Sequence, residues 1–449
     1  MDSPSFKSSI PEKDDTGNIS FKPGKVSKKE VKYATIIAFL AWVFAVYDFI
    51  LFGILLPVMG KEYNWTEAQQ AGIATWVALG GAIVALAIGP FVDKFGRRPG
   101  IIFTMLGTAS ASVLTSIGAS FGKIPLVIIR SIAGLGYAEQ GVNATYLNEL
   151  YQASDDEKIR KRSGFIYSLV QSGWPVGALV AAGLTAILLP IIGWKGCFIF
   201  AAIPAFLIGI AAMKVKETPQ YQSLSYYYKL LREGEVHQAQ VFAQQYKIEV
   251  ESKPGISEAF KGKALKPTLF LSLALFLNWF ACQVFAVLGT SVIVNVHKIT
   301  FENSLVVLIL SNLIGFIGYL FHGWLGDKIG RRNTVAIAWI LGGITFYIMI
   351  TGSDNFTHVV AFYSLGLFFL IGAYAALMFF IAESFSTHIR ATCTSIISAM
   401  GPVGAVVASM GITTSLSIGG SWATASIWFG AIPCILSGLI ILFTPITNT

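Results

Sequence analysis

The stretch GPFVDKFGRRP at residues 89–99 is the most informative part of the chain, because it occurs twice. Its copy, GWLGDKIGRRN, lies at residues 323–333. Glu149 and Glu383 are separated by the same offset, and each lies near the end of an apolar stretch. Motifs that repeat in register predict a chain built from two related halves.

The composition excludes a water-soluble multidomain enzyme. Of the 449 residues, 54% are apolar and only 12% charged, with a mean hydropathy of +0.66. Soluble proteins have about a quarter of their residues charged. The net charge of +8 comes from basic residues in the loops between apolar stretches, so it does not predict nucleic-acid binding. The composition predicts a protein embedded in a lipid bilayer.

Twelve stretches are long and apolar enough to cross a hydrocarbon core of about 30 Å as helices. They are much longer than the alternating strands of a membrane β-barrel, so we expect an all-α bundle. The predicted spans are residues 34–59, 68–91, 101–122, 124–150, 163–189, 194–214, 266–296, 303–326, 333–352, 356–384, 391–418 and 421–443.

The distribution of Lys and Arg orients these spans. The tail 1–33 and the loops on its side hold 27 of the 32 basic residues, whereas the opposite loops hold four. Because positively charged loop residues stay in the cytoplasm, both termini are expected on the cytoplasmic side. The expected location of the protein is a cell membrane. The predicted organisation is a cytoplasmic tail 1–33, a six-helix half 34–214, a cytoplasmic linker 215–265, a second six-helix half 266–443 and a tail 444–449.

These motifs resemble a known family. GPFVDKFGRRP and its copy are similar to the loop signature of the major facilitator superfamily, and RSIAGLGYAEQGVNATYLNEL (130–150) resembles the fourth helix of metabolite:proton symporters and sialic-acid transporters. KETPQY (216–221) and IAESFSTHIRATCTS (381–395) resemble motifs that those groups share with sugar porters. The resemblance implies two halves that rock around a central site, in a monomer. Tyr137-Ala138 replaces the usual Gly-Gly of the symporters, which leaves the substrate open.

Two carboxylates lie inside predicted spans, Asp48 in the first and Glu139 in the fourth. An unpaired carboxylate at that depth costs about 2.5–3.5 kcal/mol on translocon scales, so such groups are protonated, paired or in a watery cavity. Either residue is a candidate for proton coupling, and the alternative is a structural hydrogen bond or helix–helix pair. Tyr47-Asp48-Phe49 resembles the first-helix motif of the same family.

Polar residues near the centres of spans are the candidate substrate contacts. Glu139 and Asn143 share a helical face. Arg130 is about 13 Å from Glu139 along the axis and on roughly the opposite face, so it need not pair with that residue. Arg130 is either the counter-ion of an anionic substrate or, as the resemblance favours, a relay partner. The full candidate set is Tyr47, Arg130, Gln140, Asn143, Gln171, Asn278, Trp279, Gln283 and Tyr374.

The repeated loops supply candidate gating charges. Arginines can bind the glutamates at the ends of spans four and ten bidentately, in networks that close with the cytoplasmic side. The same charges also fix topology under the positive-inside rule. The expected gating residues are Asp93, Arg97, Arg98, Glu149, Asp327, Arg331, Arg332, Glu383 and Arg390.

Other function classes lack their motifs. The sequence has no phosphate-binding loop for ATP-driven transport, no metal-ligand spacing and no catalytic set, so we expect neither an enzyme nor a cofactor. We therefore expect a proton-coupled symporter of a small organic anion, with that anion, protons and the bilayer as its partners. A sugar or polyol carrier is the alternative, and an efflux antiporter is less favoured.

Overall fold

The computed structural model describes residues 26–245, 259–385 and 387–445. The predicted tails 1–33 and 444–449 and the linker 215–265 therefore lie partly outside the described residues. Within those ranges the chain is helical apart from turns, loops and one isolated bridge between Val26 and Ser154.

The helices are numbered in chain order. They are α1 (Lys28–Glu62), α2 (Glu67–Phe95), α3 (Arg97–Gly118), α4 (Lys123–Ile132), α5 (Gly134–Gln152), α6 (Glu157–Lys161), α7 (Ser163–Gln171), α8 (Gly173–Ala212), α9 (Pro219–Arg232), α10 (Val236–Gln245), α11 (Leu265–Ala281), α12 (Gly289–His297), α13 (Phe301–Ile329), α14 (Arg331–Thr351), α15 (Phe356–Leu370), α16 (Tyr374–Glu383), α17 (Thr387–Ser417), α18 (Trp422–Ser426) and α19 (Ile432–Ile441).

The prediction of an all-helical membrane protein is confirmed. Nine helical segments of the described chain are long and apolar enough to cross a membrane. One of them, 169–212, contains most of two predicted spans, because the chain turns at Gly193, which has φ 65° and ψ 176°. Glycine adopts this positive φ without the steric clash that other residues meet. The count of twelve spans stays a prediction.

Helix starts follow from local sequence. Ser27 and Glu30 form a reciprocal capping box at the start of α1, and Thr66 and Gln69 form one at the start of α2. Such boxes satisfy backbone N–H groups that have no partner inside the helix.

Five predicted spans are interrupted within the described residues. The fifth breaks at Ser172 and the twelfth contains a π-helical turn at Ile427–Ala431; the other three are the fourth, seventh and tenth. The fourth breaks at Ala133, between α4 and α5, and the seventh contains a π-helical turn at Cys282–Val287, between α11 and α12. The tenth breaks at residues 371–373, between α15 and α16. Irregular turns inside helices often occur at functional sites, and two of these three adjoin the cavity described below.

The N-terminal set (α1–α8) and the C-terminal set (α11–α19) meet mainly through three helix pairs. These pairs are α1 with α12, α2 with α17, and α8 with α13. We call the end of the bundle that carries both DKxGRR loops (residues 93–98 and 327–332) the signature end. At the other end, the Thr75 and Thr413 hydroxyls are 3.1 Å apart, and a Cβ on Gly53 would lie 2.0 Å from the Val287 carbonyl oxygen. Glycine at position 53 therefore permits close contact between α1 and the seventh span.

The two sets are separated at the signature end. Within the described residues, α5 and α7 pack extensively only against helices of the N-terminal set, and α16 only against the C-terminal set. The bundle is therefore closed at the end opposite the signature loops and open between the sets at the signature end.

We predict that Thr75→Cys and Thr413→Cys together form a disulfide under oxidation, because the two hydroxyls are already in contact. The bond is expected to block transport reversibly by holding that end closed. Loss of two maleimide-reactive thiols after denaturation measures the bond, since the four native cysteines are free and buried. Each single substitution is the control, and a double variant that keeps six reactive thiols after oxidation contradicts the described closure.

Candidate functional site

A cavity lies between the two helix sets and is lined mostly by apolar side chains. Among its lining residues that the structure describes, Arg130 is the one ionisable cation, and Tyr137, Trp279 and Gln283 carry the other polar side-chain atoms. The full lining is Phe49, Phe52, Gly53, Leu56, Ala74, Val77, Ala78, Gly81, Ala82, Arg130, Ala133, Gly134, Tyr137, Trp279, Gln283, Val287, Leu288, Pro402 and Ala405. Mostly apolar pockets with a few placed polar groups are typical of small-molecule sites.

Asp48 and Arg130 form a buried ion pair at the cavity. Asp48 is 1% exposed and Arg130 is 3% exposed. The Arg130 Nη1 donates to Asp48 Oδ1 at 3.3 Å, and Nη2 lies 3.1 Å from Asp48 Oδ2 and 3.1 Å from its backbone oxygen. Ser112 of α3 donates a further hydrogen bond to Asp48 Oδ1. The pair spans α1 and α4 and holds them in register.

Two aromatic rings flank the guanidinium. Its carbon lies 5.0 Å from the centroid of Phe52 and 5.3 Å from that of Phe198. Aromatic faces attract cations, and this attraction is stronger where water is excluded. The sequence pattern indicated Asp48 and Arg130 as separate candidates but not their pairing, and it did not indicate Ser112 or Phe198. Nothing in local sequence spacing identifies contacts between different helices.

Glu139 of α5 is not among the residues that line the cavity. It is 0% exposed, and neither carboxylate oxygen has a hydrogen-bond partner among the described residues. One turn further on, Asn143 Nδ2 donates to the Ala38 carbonyl oxygen of α1 at 2.8 Å. A buried carboxylate without a partner is strongly disfavoured as an ion, so this geometry favours a protonated Glu139.

Several predicted substrate contacts lie near the cavity without lining it. Gln140 donates to Gln171 Oε1 at 2.8 Å, and Gln171 in turn donates to the Tyr167 hydroxyl at 2.6 Å, so these side chains connect α5 to α7. The Tyr47 hydroxyl is buried without a partner in the described chain. Neither it nor Asn143 lines the cavity.

The same is true of two residues in the C-terminal set. The Tyr374 hydroxyl donates to Asn278 Oδ1 at 2.7 Å, which links α16 to α11. Of the nine predicted substrate contacts, the cavity lining therefore contains Arg130, Trp279 and Gln283.

Four aromatic rings form a floor on the signature side of the cavity. The Trp279 centroid lies 5.4 Å from that of Tyr137 and 6.2 Å from that of Trp174, both edge-on, and Phe49 lies 6.0 Å from each of these two. Trp279 belongs to the C-terminal set, and the other three belong to the N-terminal set. These contacts join the two sets between the cavity and the open signature end.

Chain direction fixes the position of the floor. α1 and α11 run from the signature end, and Phe49 and Trp279 precede the other lining residues of their helices. α5 runs toward the signature end, and Tyr137 follows the other lining residues of the fourth span.

The signature loop of the N-terminal set forms a charge network. Arg97 contacts Glu149 Oε1 through Nε at 3.0 Å and Nη2 at 2.9 Å, and Thr218 donates to the other Glu149 oxygen. Glu217 accepts the backbone N–H groups of Arg97 and Arg98 at 3.2 and 3.1 Å, at the start of α3. Burial raises the pKa of the Glu217 carboxyl, and these donors oppose that rise. Glu217 lies in the KETPQY motif but was not predicted as a site residue.

The C-terminal copy has a related pair. Arg331 contacts Glu383, and its Nη2 lies 3.7 Å from Asp327. Arg98 and Arg332 instead donate to backbone carbonyls, of Met213 and of Leu442 and Thr444 respectively. The side chains of Asp93 and Arg390 lie outside the described residues.

The chain matches the model of the Major Facilitator Superfamily over residues 37–321 and 271–449. It belongs to that superfamily. The predicted family is thus confirmed, and the protein is a multi-pass membrane transporter rather than an enzyme.

Individual relatives in the superfamily are distant but extend over most of this transporter. It is 24% identical over 379 residues to a putative niacin/nicotinamide transporter of Bacillus subtilis, covering 82% of this chain and 85% of the relative. It is 25% identical to a niacin transporter of Acinetobacter baylyi (83% and 84% covered) and 27% identical to a gentisate transporter of Corynebacterium glutamicum (82% and 78% covered).

We predict that Arg130→Met lowers the free energy of unfolding by about 3–5 kcal/mol, because it leaves the Asp48 carboxylate buried without its counter-ion. Denaturant titration in detergent micelles measures the loss. The double variant Asp48→Asn, Arg130→Met is the matched control and is expected to recover most of it. An Arg130→Met protein as stable as the wild type contradicts the ion pair.

Proposed function

We propose that this transporter carries an aromatic monocarboxylate together with a proton, by alternating access across a cell membrane. The observation that carries the proposal is the Asp48–Arg130 pair. Arg130 is the one cation in the described cavity lining, and it is neutralised by a carboxylate of the same protein.

Asp48 and the substrate carboxylate compete for Arg130, and this competition couples substrate binding to proton binding. While Asp48 is ionised, the pair has no net charge and a substrate anion gains little by entering an apolar cavity. A proton on Asp48 leaves the guanidinium with an uncompensated charge, which is costly in a low-dielectric site. A substrate carboxylate can then replace Asp48 as the counter-ion. Substrate and proton therefore favour each other's binding.

We assign the coupled proton to Asp48 rather than Glu139. Asp48 contacts the cation that a substrate anion would use, whereas Glu139 does not line the cavity. In this proposal Glu139 stays protonated through the cycle as a structural group.

The aromatic lining supports an aromatic substrate. Phe49, Phe52, Tyr137 and Trp279 surround the cavity, and aromatic rings pack favourably edge-to-face or offset. The names of relatives point the same way, since they include transporters of niacin, gentisate, gallate and benzoate. A sugar or polyol carrier needs many hydrogen-bonding groups around its ligand, and this cavity has few.

The remaining proposals concern the topology, the orientation in the membrane and the gating contacts. We propose twelve spans in two halves, with the signature end and both termini in the cytoplasm, so that the described conformation opens inward. The Arg97–Glu149 and Arg331–Glu383 pairs would stabilise each half as the halves rock. Trp279 would separate the substrate from the cytoplasm until the floor opens.

We predict that proteoliposomes concentrate benzoate or nicotinate when a proton gradient drives protons inward. Asp48→Asn is expected to abolish accumulation but to retain substrate exchange, because its Arg130 stays available to the anion at any pH. Glu139→Gln, the matched carboxyl-to-amide control, is expected to accumulate substrate. Radiolabelled uptake with and without the gradient measures both.

Two outcomes contradict this coupling scheme. Loss of accumulation in Glu139→Gln with normal accumulation in Asp48→Asn would move the coupled proton to Glu139. Equilibration of a neutral sugar regardless of the gradient, with both variants normal, would leave both carboxylates with structural roles only.

We predict that Trp279→Ala reduces the concentration ratio reached by wild-type protein, because the cavity floor loses its contacts with Tyr137 and Trp174. Substrate exchange is expected to continue. Trp324→Ala, at a tryptophan of α13 that is 56% exposed, is the control. The ratio at steady state is the measurement, and an unchanged ratio in Trp279→Ala rules out the floor as a barrier.

A further inference from the structure

We infer that Gln283 recognises a neutral polar group on the substrate ring, so that the preferred substrates are aromatic monocarboxylates with a ring hydroxyl or a ring nitrogen. This inference rests on the proposed function, because it assumes that the substrate carboxylate engages Arg130. Gln283 would contact the end of the substrate opposite that carboxylate.

Gln283 is an unpaired amide at the cavity wall. It is 2% exposed and lines the cavity, its side chain has no hydrogen bond to another described residue, and its amide atoms are open to the cavity rather than enclosed. A glutamine amide offers two donors and an acceptor. A ligand that covers such a group without bonding it forfeits about 1–3 kcal/mol. A ligand that satisfies it therefore gains affinity over one that does not.

The backbone around Gln283 is held in place. Gln283 lies in the π-helical turn Cys282–Val287, and its carbonyl oxygen accepts the Leu288 N–H at 2.9 Å. Within the same turn, the Phe285 ring stacks on Phe346 with centroids 3.8 Å apart, and the Phe285 carbonyl accepts the Tyr363 hydroxyl. The amide is thus presented from a fixed backbone, as recognition of a small ligand requires.

The other polar residues of the lining already contact other side chains of the protein. Tyr137 and Trp279 meet edge-on in the floor, and Arg130 is held by Asp48 in the N-terminal set. Gln283 belongs to the C-terminal set. The cavity lining therefore offers a charged group from one set and a neutral amide from the other.

This arrangement selects substrates by their second polar group. A hydroxybenzoate or nicotinate has a neutral group that can bond the amide, whereas benzoate leaves the amide unpaired. A phthalate would place a second carboxylate where the described lining has no second cation, so it is disfavoured. A substrate that bonds both Arg130 and Gln283 also links the two sets, whereas the polar contact of benzoate is with Arg130 alone.

The test compares uptake of benzoate, 4-hydroxybenzoate, nicotinate and phthalate by full-length wild-type protein, Gln283→Met and Gln283→Asn in proteoliposomes. Wild type is expected to show a KM for 4-hydroxybenzoate or nicotinate roughly 3- to 10-fold below that for benzoate, the worth of about one hydrogen bond. Gln283→Met is expected to abolish this preference, so that the KM values for benzoate and its substituted analogues become similar. Gln152→Met, at an exposed residue of α5, is the control.

Each contrary result has a separate meaning. Equal KM values for benzoate and its substituted analogues in wild type overturn the inference without any variant, and so does a Gln283→Met that weakens all substrates equally. Gln283→Asn keeps an amide and is expected to retain part of the preference. It replaces Gln283→Met as the test if that variant does not fold. Absence of uptake of every aromatic carboxylate by wild type would instead refute the proposed function.

Discussion

The ion pair between Asp48 and Arg130 is the constraint on which the rest of the site depends. Both groups are almost completely buried, and each makes the other tolerable in an apolar interior. The pair also joins α1 to α4 beside the cavity. In the proposed mechanism a single proton removes this mutual neutralisation, so the same contact that stabilises the fold controls the affinity for an anion.

The packing of the two helix sets determines toward which end of the bundle the site opens. Contacts such as Thr75 with Thr413 close the bundle at the end opposite the signature loops, whereas α5 and α16 are not packed extensively against each other at the signature end. Between these regions lies the aromatic floor, where Trp279 meets Tyr137 and Trp174. In our account, substrate binding and movement of the two sets therefore involve the same small group of side chains.

The sequence predicted much of this architecture. Apolar stretches located the helices, and repeated motifs led to the superfamily, because span length and loop charge are set by the bilayer and are local in sequence. Arg97 with Glu149 and Arg331 with Glu383 were also predicted, since each pair links a signature loop to a glutamate at the same offset in its own half.

The site itself was predicted less completely. Helical periodicity states which residues share a face but not which neighbouring helix that face meets. It therefore missed the Asp48–Arg130 pairing, and it did not reveal that Glu139 is outside the cavity lining. Gln283 was selected as a mid-span amide, but the π-helical turn that carries it in the cavity wall is not revealed by local patterns.

The most direct test of the central claim is to measure proton uptake when substrate binds to purified protein in weakly buffered detergent solution. The account predicts that wild type and Glu139→Gln each take up close to one proton per bound aromatic carboxylate at neutral pH, and that Asp48→Asn binds the same substrate without proton uptake. Proton uptake that persists in Asp48→Asn, or substrate binding to wild type without any proton uptake, would contradict it.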